Sequence, residues 1–249
     1  DVAPSRGLGD VYKRQVNKDL ALELYVFVDS CSETNKENLR KTAEKYKCNI
    51  YLYIMDMSIY ENFHIKVARF SRVTYIRIVM PWILRRYTKY FLYLDSDMIC
   101  VKSLRHFLDI DLGDKAIGAL IFDNPDRVAF LKMKQEKYFS DGLMWVNIDE
   151  WIKQKITEKV FAFQGADPHR FKGQTQDLLN LVLEGNIQHI PDVYHHQDKN
   201  FSIDGLLIHY SGRDKPWEVV LDEDDEAWRH YLDAVSYTHL RAHETELHL

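Results

Sequence analysis

Two aspartates one residue apart end an apolar stretch of this sequence, FLYLDSDMIC, residues 91–100. The run is typical of a buried strand, and ligands of open α/β sheets bind beyond the carboxyl ends of strands. On an extended backbone Asp95 and Asp97 would point to the same side and repel one another unless a cation lay between them. Carboxylate oxygens suit Mg²⁺ or Mn²⁺. On this motif alone, two surface aspartates in a loop or at a helix N-terminus remain an alternative.

A second group of polar residues follows a short apolar strand in IHYSGRDKPW, residues 208–217. The imidazole of His209 could complete a metal site begun by carboxylates. Gly212 would let the backbone approach a ligand closely, and Lys215 offers a positive charge for phosphate. Each residue alone also fits an ordinary structural or surface role. Together with the two aspartates they predict a site for a metal ion and a diphosphate.

The elements that must position these residues alternate between strand and helix patterns. This order predicts an α/β fold with a mixed or parallel sheet and helices on both faces. The first strand is apolar on both sides, so we expect both faces to be covered, and we expect Pro81 to kink a long helix. The predicted strands span 22–29, 49–55, 90–95, 115–122, 142–148, 186–192 and 205–212, and the main predicted helices span 32–46, 71–87, 149–155 and 174–185.

The composition restricts the classes of function. The chain has 249 residues, of which 46% are hydrophobic, enough to bury a substantial core. A net charge of −5 gives no general attraction to nucleic acid or to an anionic membrane. Three cysteines without metal-ligand spacing fit reduced thiols in a cytosolic protein. No apolar stretch approaches the roughly 20 residues of a membrane span, so we expect at most peripheral membrane association.

Both ends of the sequence differ in character from its middle. GLGDVYKRQ, residues 7–15, and VSYTHLRAHETE, residues 235–246, resemble translated adapter or vector sequence. We therefore expect one domain over residues 16–234, with residues 1–15 and 235–249 as non-native tails. We also expect the natural protein to begin further upstream.

Four blocks, in order, resemble glycosyltransferase family 8, the retaining nucleotide-sugar transferases. They are SRVTYIR (71–77), FLYLDSDMIC (91–100), YFSDGLMWVNIDEW (138–151), and QTQDLLN (174–180) with IHYSGRDKPW (208–217). The resemblance implies a single GT-A-like, Rossmann-like three-layer α/β/α domain with a mixed, mostly parallel sheet. It also implies retaining transfer of a hexose, glucose or galactose, from a UDP-sugar to a saccharide or glycolipid acceptor. Lipopolysaccharide or surface glycan synthesis, in the cytoplasm or at the cytoplasmic face of the inner membrane, is the implied setting.

The resemblance also implies roles for individual residues. Those implied to hold Mn²⁺ or Mg²⁺ are Asp95, Asp97 and His209. Those implied to bind the nucleotide sugar are Arg77, Asp95, Ser96, Asp97, Gly212 and Lys215. Those implied to act at the sugar are Gln176, beside the anomeric carbon, Asp123 and Asp177. A turn-forming role for Asp123 and a structural role for Asp177 stay open.

Retention of configuration has two chemical routes. The acceptor hydroxyl could attack on the face that UDP leaves, passing its proton to a phosphate oxygen, or an enzyme nucleophile could form a covalent intermediate. An amide is a poor nucleophile, so Gln176 favours the front-face route.

Three departures from the family pattern motivate an alternative. Thr175 stands where the first aspartate of DQD is usual, Ser140 and Asp141 replace an asparagine and a small residue before Gly142, and the first strand–helix unit of the family has no counterpart. A non-catalytic nucleotide-sugar binder or scaffold would fit these changes. A phosphatase of the haloacid dehalogenase class also uses DxD, but Ile99 replaces its usual threonine or valine and the motif lies in mid-chain.

Overall fold

The computed structural model describes residues 17, 20–63, 65, 71–167, 169–191, 207–211 and 215. The strands are β1 Glu23–Val28, β2 Asn49–Ile54, β3 Tyr90–Leu94, β4 Met98–Cys100, β5 Ile117–Asp123, β6 Lys137–Asn147, β7 Ile187–His189 and β8 Leu207–His209. The α-helices are α1 Glu33–Tyr46, α2 Met80–Leu84, α3 Pro125–Leu131, α4 Ile148–Lys153, α5 Ile156–Ala166 and α6 Thr175–Val182. Three 3₁₀ helices span Met57–Tyr60, Arg72–Ile78 and Leu104–Asp109.

A four-stranded sheet with the order β3-β6-β5-β7 forms the centre of the fold. Strand β6 is antiparallel to both of its neighbours, whereas β7 is parallel to β5. Three of the four strands therefore run in one direction, and the predicted mixed, mostly parallel sheet is confirmed. The pairs β1-β2, parallel, and β4-β8, antiparallel, form two smaller sheets.

Strand β6 separates two hydrophobic clusters, because its side chains alternate between the faces of the sheet. Met144 and Val146 belong to one cluster, which includes residues of α4, α5 and α6. Leu143 and Trp145 belong to the other, which includes residues of β4, β8 and the 3₁₀ helix Leu104–Asp109. None of the helices in the described part of the chain has both the length and the apolar character needed to cross a bilayer.

Strand β6 is also longer than its neighbour β3. The β3 ladder ends at the Leu94–Leu143 pair, so the backbone groups of β6 before Leu143 need other partners. Asn180 of α6 supplies them at Phe139: its Oδ1 accepts from the Phe139 amide at 2.8 Å and its Nδ2 donates to the Phe139 carbonyl at 2.9 Å. The Asn180 side chain thus replaces a missing strand beside the first part of β6.

The helix predicted at 71–87 consists of two shorter pieces. Ser71 caps the 3₁₀ helix Arg72–Ile78, accepting a hydrogen bond from the amide of Val73, and α2 then begins at Met80. Pro81 does not kink a continuous helix as expected. It lies in the first turn of α2, where the missing amide hydrogen costs no helical hydrogen bond.

Other expectations also differ from the structure. Strand β1 buries only Val28 fully, so the prediction that both of its faces are covered is wrong. Helix α1 is capped by Ser32, whose hydroxyl accepts from the amide of Asn35. The sequence patterns also missed β4, α3 and α5, which are short or have weak periodicity.

Replacing Asn180 tests whether it stands in for a strand. Asn180→Ala leaves the amide and carbonyl of Phe139 without these partners, which we expect to lower the free energy of unfolding by about 3 kcal/mol. Urea denaturation followed by circular dichroism measures the change. The matched control is Asn38→Ala on α1, where we expect a change within about 0.5 kcal/mol. Equal effects of the two substitutions would contradict this role.

Candidate active site

Asp95 follows the last residue of β3 and is tied to β6. Its backbone amide donates to the carbonyl of Gly142 at 2.8 Å. The predicted extended backbone through Asp97 is wrong, because Ser96 and Asp97 form a turn before β4 begins at Met98. The two carboxylates converge nonetheless, since an oxygen of Asp95 and an oxygen of Asp97 lie within 4.8 Å of one another.

His209 reaches the aspartates through strand pairing. In the antiparallel β4–β8 ladder His209 lies opposite Met98, and the amide of Tyr210 donates to the carbonyl of Asp97 at 3.0 Å. Nε2 of His209 is 3.3 Å from Oδ1 of Asp97 and 3.7 Å from Oδ2 of Asp95. Residues more than 100 positions apart in sequence therefore form one cluster.

The three side chains have the spacing and chemistry of a metal site. One ligand atom from each of Asp95, Asp97 and His209 lies within 4.8 Å of the other two. Ligands about 2.1 Å from one octahedral ion are about 3.0 Å apart when adjacent and about 4.2 Å apart when opposite. The observed separations are close to this range, and two carboxylates with one imidazole suit Mn²⁺ or Mg²⁺.

Gly142 leaves room for this cluster. A Cβ atom at Gly142 would lie 2.7 Å from Cε1 of His209 and 2.9 Å from Oδ2 of Asp95. Both distances are shorter than real van der Waals contacts, so any larger residue would displace the proposed ligands. The backbone of β6 therefore forms one wall of the cluster.

Lys215 binds the second aspartate. Its Nζ lies 2.8 Å from Oδ2 of Asp97 and also donates to the carbonyl of Tyr210. Burial alone would raise the pKa of Asp97, but its hydrogen bond and charge interaction with His209, and then the charge of Lys215, lower it below the usual range. Asp97 is therefore ionised at neutral pH, as a metal ligand must be.

Arg77 is buried behind the cluster, with only 6% of its surface exposed. Its Nη2 lies 3.0 Å from Oδ1 of Asp95, and its Nη1 lies 2.8 Å from both the carbonyl and Oδ2 of Asp141. Nε donates to the carbonyl of Thr74, and the guanidinium stacks over the ring of Tyr93. Burial opposes the charged form of Arg77, but the neighbouring carboxylates hold its pKa above the ordinary value. The buried guanidinium therefore holds the carboxylate of Asp95 in position.

Asp141 and Tyr93 also belong to the buried contacts around Arg77 and Asp95, although sequence reasoning assigned neither to the site. The Tyr93 hydroxyl donates to Oδ1 of Asp95 at 2.7 Å, and burial, with Asp95 adding to it, raises the pKa of Tyr93 well above its ordinary value. Burial raises the pKa of Asp141, and Arg77 partly offsets that effect. One signal could have found Asp141: a carboxylate within an otherwise apolar strand requires a buried partner.

Gln176 and Asp177 are adjacent in α6 but have different surroundings. Asp177 is fully buried, where it accepts from the hydroxyl of Tyr138 at 2.8 Å and from the amide of Gly173 at 2.7 Å. Nε of Arg127 is 3.4 Å from its Oδ1. Gln176 is partly exposed, and its side-chain amide makes no hydrogen bond within the described residues. These contacts favour the structural alternative for Asp177 and leave Gln176 available to a ligand.

Asp123 lies apart from the cluster. It ends β5 and pairs across the ladder with Lys137 at 2.7 Å, and both side chains are exposed. Lys137 is four residues before Asp141 on β6, about 13 Å along the strand. Ser96 is exposed in the turn between the two aspartates, and Gly212 lies outside the described residues.

The fold is GT-A-like, since it matches solved structures of glycosyltransferases. The structure of an active site mutant of LgtC aligns with a TM-score of 0.82 and 20% identity, covering 92% of this chain and 91% of that chain. A second LgtC structure, described as a galactosyltransferase in complex with donor and acceptor sugar analogs, aligns with a TM-score of 0.76. At this identity the likeness concerns the fold.

The chain belongs to glycosyl transferase family 8, whose profile matches residues 12–220. The lipopolysaccharide 1,2-glucosyltransferase of Escherichia coli K12 is 25% identical over 222 residues, and the lipopolysaccharide 1,3-galactosyltransferase of Salmonella typhimurium is 23% identical over 222 residues. Each alignment covers 81% of this chain but only 65% of the relative. The family assignment confirms the resemblance and excludes the phosphatase alternative.

Gly142→Ala tests the wall of the cluster. We expect Mn²⁺ affinity to fall by at least about tenfold, because the new methyl group would displace His209 or Asp95. Electron paramagnetic resonance of free Mn²⁺ measures the affinity. The control is Gly165→Ala in α5, where an added Cβ meets nothing within 4 Å. Unchanged Mn²⁺ binding by the folded Gly142 variant would exclude this location for the ion.

Proposed function

We propose that this protein is a metal-dependent hexosyltransferase that moves glucose or galactose from a UDP-sugar to a saccharide acceptor with retention of configuration. The observation that carries the proposal is the convergence of Asp95, Asp97 and His209 beside Lys215 in a chain of family 8. A divalent cation with an adjacent lysine is the chemistry that a diphosphate requires.

The residues have three roles in this proposal. Asp95, Asp97 and His209 hold Mn²⁺ or Mg²⁺, which when bound supplies positive charge that stabilises UDP as a leaving group. Lys215 is a further source of positive charge: it contacts Asp97 in the structure, and a bound diphosphate offers it a second anionic partner. Arg77 fixes Asp95, so its contribution to donor binding is indirect.

Gln176 is the proposed neighbour of the reacting carbon. It lies in the first turn of α6, beside Thr175, which contacts Asp141. An amide can orient a sugar hydroxyl or stabilise positive charge at the anomeric centre, but it is a weak nucleophile. The acceptor hydroxyl therefore attacks on the face that UDP leaves and transfers its proton to a phosphate oxygen.

The acceptor proposed is a saccharide or glycolipid of lipopolysaccharide or another surface glycan. The support is the naming of two relatives as lipopolysaccharide glucosyl- and galactosyltransferases. Synthesis in the cytoplasm or at the inner face of the membrane is part of the proposal. Asp123 is exposed and forms an ion pair with Lys137. These contacts favour a role at the rim of the fold over contact with the donor sugar.

A donor screen with a metal ligand variant tests the proposal. We expect UDP release from UDP-glucose or UDP-galactose with Mn²⁺, loss of release in chelator, and a fall of more than about 100-fold for Asp97→Ala, exceeding the loss typical of outer-shell partners. The control, Asp114→Ala, removes an aspartate whose side chain is 82% exposed, and should retain wild-type release.

The screen separates the remaining alternatives. Release that is equal in chelator, or kept by Asp97→Ala, would refute the metal-dependent mechanism. Metal-dependent binding of a UDP-hexose without hydrolysis or transfer would select the non-catalytic binder.

Substitutions at the neighbouring residues of α6 distinguish a reacting from a structural role. We expect Gln176→Ala to lower kcat by about 100-fold while Mn²⁺ affinity and Tm stay unchanged. We expect Asp177→Asn to lower the free energy of unfolding by about 2 kcal/mol, since one amide oxygen cannot accept from both Tyr138 and Gly173. Steady-state kinetics and thermal unfolding measure both. The reverse pattern, with Gln176 stabilising and Asp177 altering only kcat, would contradict these assignments.

A further inference from the structure

The two site departures from the family pattern touch one another. Thr175 replaces the first aspartate of DQD on α6, and Asp141 replaces a small residue on β6. In the structure the Thr175 hydroxyl donates to Oδ2 of Asp141 at 2.6 Å. Both side chains are buried, with 3% and 6% of their surfaces exposed. A carboxylate is missing on one element and present on the facing element.

This carboxylate has a defined partner. Oδ2 of Asp141, the atom that accepts from Thr175, is also 2.8 Å from Nη1 of Arg77. The other side of the same guanidinium binds Asp95 at 3.0 Å. A continuous series of contacts therefore runs from Thr175 through Asp141 and Arg77 to a proposed metal ligand. A buried guanidinium between two carboxylates has little freedom to reorient.

A second contact joins the start of α6 to the 3₁₀ helix Arg72–Ile78, which carries Arg77. Gln174, the residue before α6, has a φ of 51°, a left-handed conformation that is unusual for glutamine. Thr74, on the 3₁₀ helix of Arg77, donates to Oε1 of Gln174 at 2.7 Å. The start of α6 is thus fixed to the 3₁₀ helix at Gln174 and, through Asp141, at Thr175. Strain held in place by such contacts is common at functional sites.

We infer that Asp141 and Thr175 are positioning residues for the metal site. Asp141 supplies from β6 the carboxylate that the family pattern carries on α6, and Thr175 orients it toward Arg77. Arg77 in turn fixes Asp95 for the ion, and the same contacts set the start of α6 and the place of Gln176. The departures then compensate for one another and leave the site competent. This inference rests on the proposed function, since it assumes that Asp95 is a metal ligand.

An exchange variant, which combines Asp141→Ala with Thr175→Asp and so moves the carboxylate from β6 to α6, tests the inference. We expect Asp141→Asn and Thr175→Val each to weaken Mn²⁺ binding, Asp141→Asn by about 10- to 100-fold, the range for partners that orient a ligand. Asp141→Ala should do the same. Adding Thr175→Asp to Asp141→Ala returns a carboxylate to the space beside Arg77 and should restore affinity to within about threefold of wild type. Paramagnetic resonance of free Mn²⁺, with and without UDP, gives each affinity.

Controls separate positioning from general stability. Thr157→Val is matched to Thr175→Val: it removes a hydroxyl that donates to the carbonyl of Ile78, next to Arg77, and accepts from Trp151, but makes no hydrogen bond to Arg77, Asp95 or Asp141. It should lower Tm and leave Mn²⁺ affinity unchanged. Circular dichroism verifies folding. If the single variants at Asp141 unfold, the Mn²⁺ affinities of Thr175→Val and of the exchange variant test the inference.

The possible failures differ in meaning. Wild-type protein that binds no Mn²⁺, with or without UDP, would overturn both the metal-dependent function and this inference. The inference alone would be overturned if folded Asp141→Asn and Thr175→Val bound Mn²⁺ as tightly as the wild type. It would also be overturned if the Mn²⁺ affinity of the exchange variant were no higher than that of Asp141→Ala.

Discussion

The buried guanidinium of Arg77 is the constraint on which the proposed site depends. A charged group removed from water must have its donors satisfied by fixed acceptors, because an unpaired buried charge is strongly destabilising. Here the acceptors come from three places: the 3₁₀ helix itself, Asp95 at the end of β3, and Asp141 in the middle of β6. Satisfying one side chain therefore fixes the relative positions of these elements, and Thr175 adds α6 to the same network.

The length difference between β3 and β6 creates the space for this network. Where β3 ends, the backbone of β6 loses its neighbour on that side, and side chains take its place: Arg77 binds the carbonyl of Asp141, and Asn180 binds both backbone groups of Phe139. Asp95 turns away from the sheet at the same point, toward the β4–β8 pair that carries His209. The end of β3 thus opens a space beside β6 and places the carboxylate of Asp95 at its edge.

Much of the fold and part of the site could be predicted from the sequence. Alternating strand and helix patterns predicted the α/β class, and the Asp95–Asp97 motif with the family resemblance predicted that Asp95, Asp97 and His209 lie together, as they do in the structure. Local sequence patterns failed to predict secondary structure where tertiary contacts determine it. The 3₁₀ helix around Arg77 was expected to continue as one α-helix, and three-residue β4 has no pattern of its own, since it exists only because β8 pairs with it. Asp141 was noted as a departure, and its partner could not be read from spacing.

The sequence by itself determined which groups are available: two aspartates after an apolar strand, a distant histidine and lysine, and a threonine in place of an aspartate. These are properties of residue types and their order, which spacing and family resemblance can reveal. Only the tertiary structure decided which of them meet. Strand pairing carries His209 to Asp97, and burial joins Arg77 to Asp141, separated by 64 positions. Such contacts depend on which elements end side by side, because desolvated charges are satisfied by spatial neighbours and not by neighbours in sequence.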